Sequence, residues 1–313
     1  MNDAYYTVTA ERPDLAAIDS GVLDGFIGEQ LYPTRPVMDK TGTVYYMAVA
    51  SVADSAAQTN RSAGVAPTGT QIATSSTTWT AAEAVKRGSF TPDEAKEMGG
   101  VARAEVAAAR FSKRSVLRAR ETAIATQALT GTAAATFDPA KFNTQVQTQL
   151  DALDIYPGKS VMVGAKSVIK ALVNQILGDS KQGLSFSRIV SGVNSTTAAQ
   201  GLSFEAYRQA LANWLGVDDV LVGNSQLWNS SQSAGIQNRI IIAKADNSGD
   251  ELSHKYIPVL GKVFQFMPDG VQPFVMKSIR DDLNVNNHVD GFTWYNIVEF
   301  NSGARKIIDG IAP

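Results

Sequence analysis

Apolar and polar positions change their rhythm twice along the chain. Over residues 1–90 helical periodicity is almost absent. One modest apolar pattern, Ile18, Val22, Phe26 and Ile27, fits a short helix after Asp19 or Ser20, and Pro33 and Pro36 then force extended backbone. Lys40-Thr41-Gly42 reads as a turn, and Thr43 to Ala50 has strand composition. Residues 51–73 are dominated by Ala, Ser, Thr, Gly and Gln, with only Asp54 and Arg61 charged. Such a stretch buries too little to order itself, so it is expected to be a loop tip. A second β-like stretch, about Ile72 to Phe90 with Trp79, brings the chain back. The pair predicts a long two-stranded flap, marginally stable alone in water.

The rhythm then turns helical. Thr91-Pro92-Asp93-Glu94 has the form of a capping box, with Pro at the first helical position and acids in the first turn. Gly99-Gly100 interrupts that short helix, because glycine costs about 1 kcal/mol relative to alanine in a helix interior. From Val101 to Leu129 the chain is Ala-rich and free of Gly and Pro, with Ala102, Val106, Ala109, Val116 and Ala123 following the spacing of one helical face. At 1.5 Å per residue this predicts a rod of roughly 43 Å.

Beyond it the pattern alternates. A helix is expected from Asp138-Pro139, with Phe142, Val146, Leu150 and Leu153 on one face. A strand at 160–163, a helix at 165–177, a helix at 204–215 and strands at 219–222 and 239–245 follow. Residues 178–202, rich in Gly, Ser, Asn and Gln, read as a flexible loop. After Tyr256 the pattern is mostly β, ending in the alternation Phe292, Trp294, Ile297, Val298 and Phe300. The fold class read from this order is α+β, without an internal repeat.

Composition narrows the chemistry. At 44% hydrophobic and 19% charged, the 313 residues can bury a real core. A net charge of −2 gives no global sign of a nucleic-acid or membrane binder. The absence of cysteine excludes disulfides, Cys-ligated zinc, iron–sulfur clusters and thiol catalysis. No apolar run is long enough to span a bilayer as a helix, and the N-terminus lacks a signal-peptide pattern. The expected setting is the cytoplasm, with no membrane partner.

Candidate catalytic motifs fall short of their requirements. Pro157-Gly158-Lys159-Ser160 and Gly164-Ala165-Lys166-Ser167 suggest a phosphate loop, but Leu153 stands where the first needs its leading glycine and Ala165 separates glycine from lysine in the second. No G-x-S-x-G elbow occurs. His254 and His288 sit in polar surroundings and read as solvent-facing. The Asp281, Asp282, Asn284, Asn286, Asn287 group lacks the closing acid of an EF-hand loop and reads as a turn. No catalytic residue, metal site or cofactor is expected, and the chain is read as a non-enzyme.

One charged pattern stands out. Arg103, Arg110, Lys113, Arg114, Arg118 and Arg120 face only Glu105 and Glu121 within 101–129, a local excess of four positive charges. Arg103, Arg110, Arg114 and Arg118 fall near one stripe. A solvated or salt-bridged face and non-specific contact with nucleic-acid phosphates both fit. The helix is read as lacking aromatics for base stacking.

The order of arm, β flap, capped turn, long helix and α/β region resembles the major capsid protein of tailed bacteriophages, the Hong Kong ninety-seven type fold shared with encapsulins and herpesvirus capsids. Residues 25–33, Gly-Phe-Ile-Gly-Glu-Gln-Leu-Tyr-Pro, resemble the arm segment ending in an aromatic-Pro step. Val44-Tyr45-Tyr46 resembles the first flap strand, and residues 215–223 resemble a helix-to-strand stretch of the compact domain. The likeness covers nearly the whole chain. It departs in the Ser/Ala/Thr-rich 51–73 tip and in an acidic stretch reduced to Pro92–Glu97.

The resemblance implies an N-terminal arm at 1–40, an extended β-hairpin loop at 41–90 and a peripheral domain with the spine helix at 91–154. It further implies an axial domain at 155–255 and returning C-terminal β segments at 256–313. Because the chain opens on arm sequence, no large scaffolding extension is expected before it. The implied function is self-assembly as hexamers and pentamers into an icosahedral shell around double-stranded DNA, assembled in the host cell cytoplasm and located in the virion capsid. Scaffolding, portal or decoration proteins are further candidate partners.

Phe26, Tyr32, Tyr45, Tyr46 and Trp79 are the expected inter-subunit contacts, and Arg103, Arg110, Arg114 and Arg118 the stripe that would face DNA. Lys40 with Asn284, Asn286 or Asn287 are the residues to test for a lysine–asparagine crosslink of the kind some members form. Two rival readings are an encapsulin-type compartment shell and an α/β enzyme domain with an oligomerisation arm.

Overall fold

A computed structural model describes residues 8–17, 26–49, 74–191, 203–229, 238–246, 250, 252–267, 273–281 and 286–311. The Ile18–Val22 pattern, Asn284 and the whole of the 51–73 tip lie outside the described residues. The helices are α1 (Pro13–Ala16), α2 (Gly28–Leu31), α3 (Pro92–Glu97), α4 (Val101–Leu129), α5 (Phe142–Leu153), α6 (Lys166–Gly178), α7 (Gln182–Ser191), α8 (Phe204–Leu215) and α9 (Ser225–Trp228). The first five strands are β1 (Val8–Glu11), β2 (Thr34–Val37), β3 (Thr41–Met47), β4 (Thr74–Thr80) and β5 (Ala82–Phe90). The rest are β6 (Ala135–Thr136), β7 (Lys159–Ala165), β8 (Asp219–Gly223), β9 (Ile240–Ala245), β10 (Gly261–Phe266), β11 (Val275–Asp281), β12 (Asn286–Glu299) and β13 (Arg305–Asp309).

The strands form three sheets. A six-stranded sheet runs β1-β11-β12-β10-β2, with β5 also on β12; a mixed five-stranded sheet runs β6-β13-β9-β7-β8; β3 and β4 form a two-stranded sheet of their own. The sequence predicts one long flap through Phe90, and the structure divides it. Only 74–80 pairs with β3, whereas β5 turns away at Ala81 and pairs antiparallel with β12 from Phe90↔Asn287 to Ala82↔Tyr295. The larger sheet completes β5's hydrogen bonds over nine residue pairs, more than a lone ribbon could offer.

The 29-residue helix α4 underlies both large sheets. Thr91 ends the strand before it in the expected capping box, its Oγ accepting the Glu94 N–H at 3.2 Å while the Glu94 carboxylate accepts the Thr91 N–H at 2.7 Å. The buried face of the N-terminal half is Ala104, Ala108, Ala109, Ser112 and Val116, so of the five expected face residues only Ala109 and Val116 are buried. Small side chains are needed there because β5 crosses almost in backbone contact. A Cβ on Gly88 would lie 2.3 Å from the Ala108 carbonyl oxygen. The C-terminal half inserts Ile124, Ala125, Ala128 and Leu129 into the main core, against Phe142, Met162, Leu211 and Ile241.

Glu121 ties the arm segment to this helix. Its Oε1 accepts the backbone N–H groups of Ile27 and Gly28 at 2.8 and 2.9 Å and the Trp228 Nε1–H at 2.8 Å. Those donors include the open N-terminus of α2, which has no side-chain cap of its own. A Cβ at position 28 would come within 2.7 Å of Glu121 Oε2 and 2.8 Å of Ile124 Cδ1, so a larger residue there would displace both side chains. Next to it Arg120 is buried, donating to Gln265 Oε1 at 3.0 Å and pairing with Glu29.

Two further expectations are corrected. Residues 182–191 form helix α7 rather than loop, because Phe186 is fully buried edge-on to Trp214 and Ser187 Oγ donates to the Gly183 carbonyl. His254 is buried rather than solvent-facing, stacked on Phe300 with its Nε2 3.0 Å from Arg35 Nη1. His288 is half-buried, its Nδ1 2.9 Å from Ser89 Oγ.

The two-stranded sheet rests on the body through one face. Trp79 stacks on Phe264 at 5.1 Å, Tyr46 stacks on Phe300 at 5.0 Å, and Val44 completes a small core with Val259 and Val298. Trp79→Ala is therefore expected to lower the stability of the unassembled chain by about 3–5 kcal/mol in denaturant titrations; a loss below about 1 kcal/mol would contradict this packing role.

Burial holds the Glu121 carboxyl above the ordinary carboxylate range, opposed by its three N–H donors and the Arg120 guanidinium. A raised folded-state pKa means the neutral acid favours folding; that stability is complete below the unfolded value and is lost as pH rises through the folded one. The stability of the natural chain minus that of Glu121→Gln is thus expected to fall as pH rises above the ordinary glutamate range. Urea titrations at rising pH check it, and a difference that grows with pH refutes it.

Candidate inter-subunit and nucleic-acid surfaces

The period of two along β3 and β4 sorts their side chains between two faces. Val44, Tyr46 and Trp79 turn to the body. Thr41, Thr43, Tyr45, Thr74, Ser76, Thr78 and Thr80 turn outward and are exposed. The outward face is thus a patch of hydroxyls around one aromatic, Tyr45, which is 62% exposed. Each strand pairs only with the other among the described residues, leaving an open backbone edge on both sides.

The five aromatics expected at subunit contacts are therefore not equivalent. Tyr32 is fully buried, and its ring packs beneath Gly261. Trp79 is buried at 7% exposure against Phe264. Neither ring is available to a neighbour in this fold, which corrects the expectation for both; each is covered by β10, a strand too distant in sequence to be foreseen as its partner. Phe26 is half-buried against the main core and Tyr46 half-buried on Phe300. Tyr45 is the one fully presented.

The basic residues of α4 also divide. Arg120 is buried and paired, and Lys113 donates to the Ala16 carbonyl at 3.3 Å with its ammonium 5.0 Å from the Phe274 ring. Arg103, Arg110, Arg114 and Arg118 are all exposed, and none makes an ion pair among the described residues. Over 15 residues of helix they span roughly 22 Å.

Phe111 corrects the reading of this helix as free of aromatics. It lies between Arg110 and Arg114 and is 61% exposed. An apolar ring among arginines, off the alanine face, was the sequence signal that could have found it.

Lys40 is exposed at the turn before β3, its Nζ 4.5 Å from the Trp294 ring centroid and 5.4 Å from that of Phe266. Asn286 and Asn287 lie at the far end of β12, opposite Asp281 and Arg280. Seven or eight strand residues separate them from Trp294, roughly 23–27 Å. A Lys40–Asn bond at these positions would have to join two copies. No helix of the described residues is long and apolar enough to cross a membrane.

No protein-family model matches the sequence, and no curated protein matches it. Solved structures do match it over nearly its whole length. A phage-related protein from Bordetella bronchiseptica RB50 superposes with a TM-score of 0.65 at 14% identity, covering 97% of this chain and 100% of that one. The capsid of a native GTA particle gives a TM-score of 0.54 at 11% identity, covering 93% and 92%. The capsid of the cyanophage P-SCSP1u gives 0.52 at 11% identity, covering 94% and 91%. At such identities the likeness is one of fold, and it covers nearly the whole chain: this chain has the fold of the tailed-phage major capsid proteins.

Proposed function

We propose that the chain is a major capsid protein, a structural subunit that self-assembles as hexamers and pentamers into an icosahedral shell around double-stranded DNA. The observation that carries this reading is the end-to-end match to capsid subunits. It is joined by a two-stranded sheet whose strands, among the described residues, pair only with each other and whose outer face is exposed. In the shell, a neighbour would cover Tyr45 and the hydroxyl face, and residues 1–40 would lie over another. The 91–154 segment with α4 would serve as peripheral domain, and 155–255 as axial domain at the symmetry axes. Each contact can be weak, because closure of a symmetric cage multiplies it.

The exposed arginines at 103 and 118, unpaired within the described residues, suit non-specific phosphate contact with the packaged DNA. Scaffolding, portal or decoration proteins would meet the shell at other surfaces. The particle's place would be the virion, with assembly in the host cell.

Negative-stain microscopy of the purified chain tests this reading: closed shells of uniform diameter with nuclease-protected DNA are expected, and a lone globule or shells filled with protein cargo overturns it. Tyr45→Glu is expected to reduce particle yield at least tenfold, a cost of about 1.4 kcal/mol per contact, with an unchanged melting temperature. Normal yield would remove the hairpin face from the interface. Charge reversal at Arg103 and Arg118 is expected to lower protected DNA per particle, and unchanged DNA content would assign both to solvent.

A further inference from the structure

Phe111, which stands between Arg110 and Arg114 in sequence, borders a groove that phosphate contact leaves unexplained. It lies between β5 and α4, is lined by Gly88, Phe90, Met98, Ala104, Ala107 and Phe111, and has a volume of about 240 Å³. That is below the roughly 300–1,000 Å³ of typical small-molecule sites and suits one or two apolar side chains. Met98 and Phe111 are 44% and 61% exposed at its rim, and in sequence Arg110 precedes Phe111 directly while Arg114 follows one helical turn later. A DNA backbone offers the arginines an anion but nothing to fill an apolar groove. The chemistry that fits is an apolar side chain flanked by carboxylates.

The chain carries such a group on another surface. Ile155, just past the end of α5, is 49% exposed. Asp151 and Asp154 beside it are exposed too and make no ion pair among the described residues. Among the described residues, Glu94 near Met98 is instead bound to Thr91, and Asp250 near Leu252 accepts the Leu252 N–H. Knob and groove cannot meet within one copy. The groove lies along residues 104–111 of α4, whereas Leu153 and Tyr156, which hold the knob in place, belong to the core around residues 124–129 at the other end of that helix.

We propose that the groove receives the Ile155 knob of a second copy, with Asp151 and Asp154 of that copy facing Arg110 and Arg114. Charge complementarity and the match of one apolar side chain to the groove select this occupant. The contact is heterologous, one surface against a different one, so repetition generates a ring when the rotation closes. It deepens the shell reading, on which it rests, by naming residues that join neighbouring copies. Isoleucine and phenylalanine would exclude water from ion pairs that contribute little when fully solvated.

The test is a charge swap in the full-length chain. Arg110→Glu with Arg114→Glu, and separately Asp151→Arg with Asp154→Arg, are each expected to reduce sedimentable particles at least about tenfold. The four substitutions together are expected to restore most of the yield. All four positions are exposed, so melting temperatures should stay unchanged, and Phe111→Gln should weaken assembly without a charge change.

No rescue in the fourfold variant overturns the proposal. So do normal assembly of either pair, and normal shells with less DNA from the arginine pair, which would give those arginines to nucleic acid. Should the natural chain form no particles, the shell reading fails. The contact is then read by sedimentation velocity as concentration-dependent self-association, lost and regained with the same swaps; its absence there overturns the contact as well.

Discussion

A single carboxylate, buried on the long helix, takes N–H donors from two other parts of the chain, and the arrangement of the fold depends on it. Glu121 gathers Ile27, Gly28 and Trp228 on one oxygen. Replacing it with an apolar residue would leave three buried donors unpaired, each worth about 1–3 kcal/mol. The anchoring places α2 and β2 so that β2 can run parallel to β10 from Thr34↔Val263. The β10 strand in turn carries Phe264, on which Trp79 stacks to hold the two-stranded sheet. One buried acid thereby fixes where the arm leaves the body and, through two further contacts, where the outward hairpin face points.

Local chemistry made much of this legible beforehand. The capping box at Thr91, the unbroken Ala-rich helix from Val101 to Leu129 and the strand-like runs at 160–163, 219–222 and 239–245 carry their structure in neighbouring residues. Helix α7 was hidden because its polar residues, such as Gln182 and Ser185, outweigh the one large side chain, Phe186, that anchors it. The pairing of β5 with β12 was also hidden, since its two strands lie some two hundred positions apart and each reads equally well as half of another hairpin.

The misread surface residues share that cause. Tyr32, Trp79 and His254 look like side chains in search of a partner when only their neighbours in sequence are seen. Their partners, at Gly261, Phe264 and Phe300, come from β10 and the end of β12. Once those three are withdrawn, the described residues still expose several chemically distinct surfaces: a hydroxyl-rich sheet face around Tyr45, four arginines, an apolar groove and an acidic apolar knob. A protein that acts alone has little use for such a set, and copies that bind one another can pair its members.

The central claim is that the two-stranded sheet completes its edges and outer face only against another copy. Hydrogen–deuterium exchange on dispersed and assembled protein tests it most directly. Amides of 41–47 and 74–80 that do not bond within the pair should exchange rapidly in the dispersed chain and become protected on assembly, while β12 amides are protected in both. Equal protection of those hairpin amides in the two states, whether high or low, would contradict the claim.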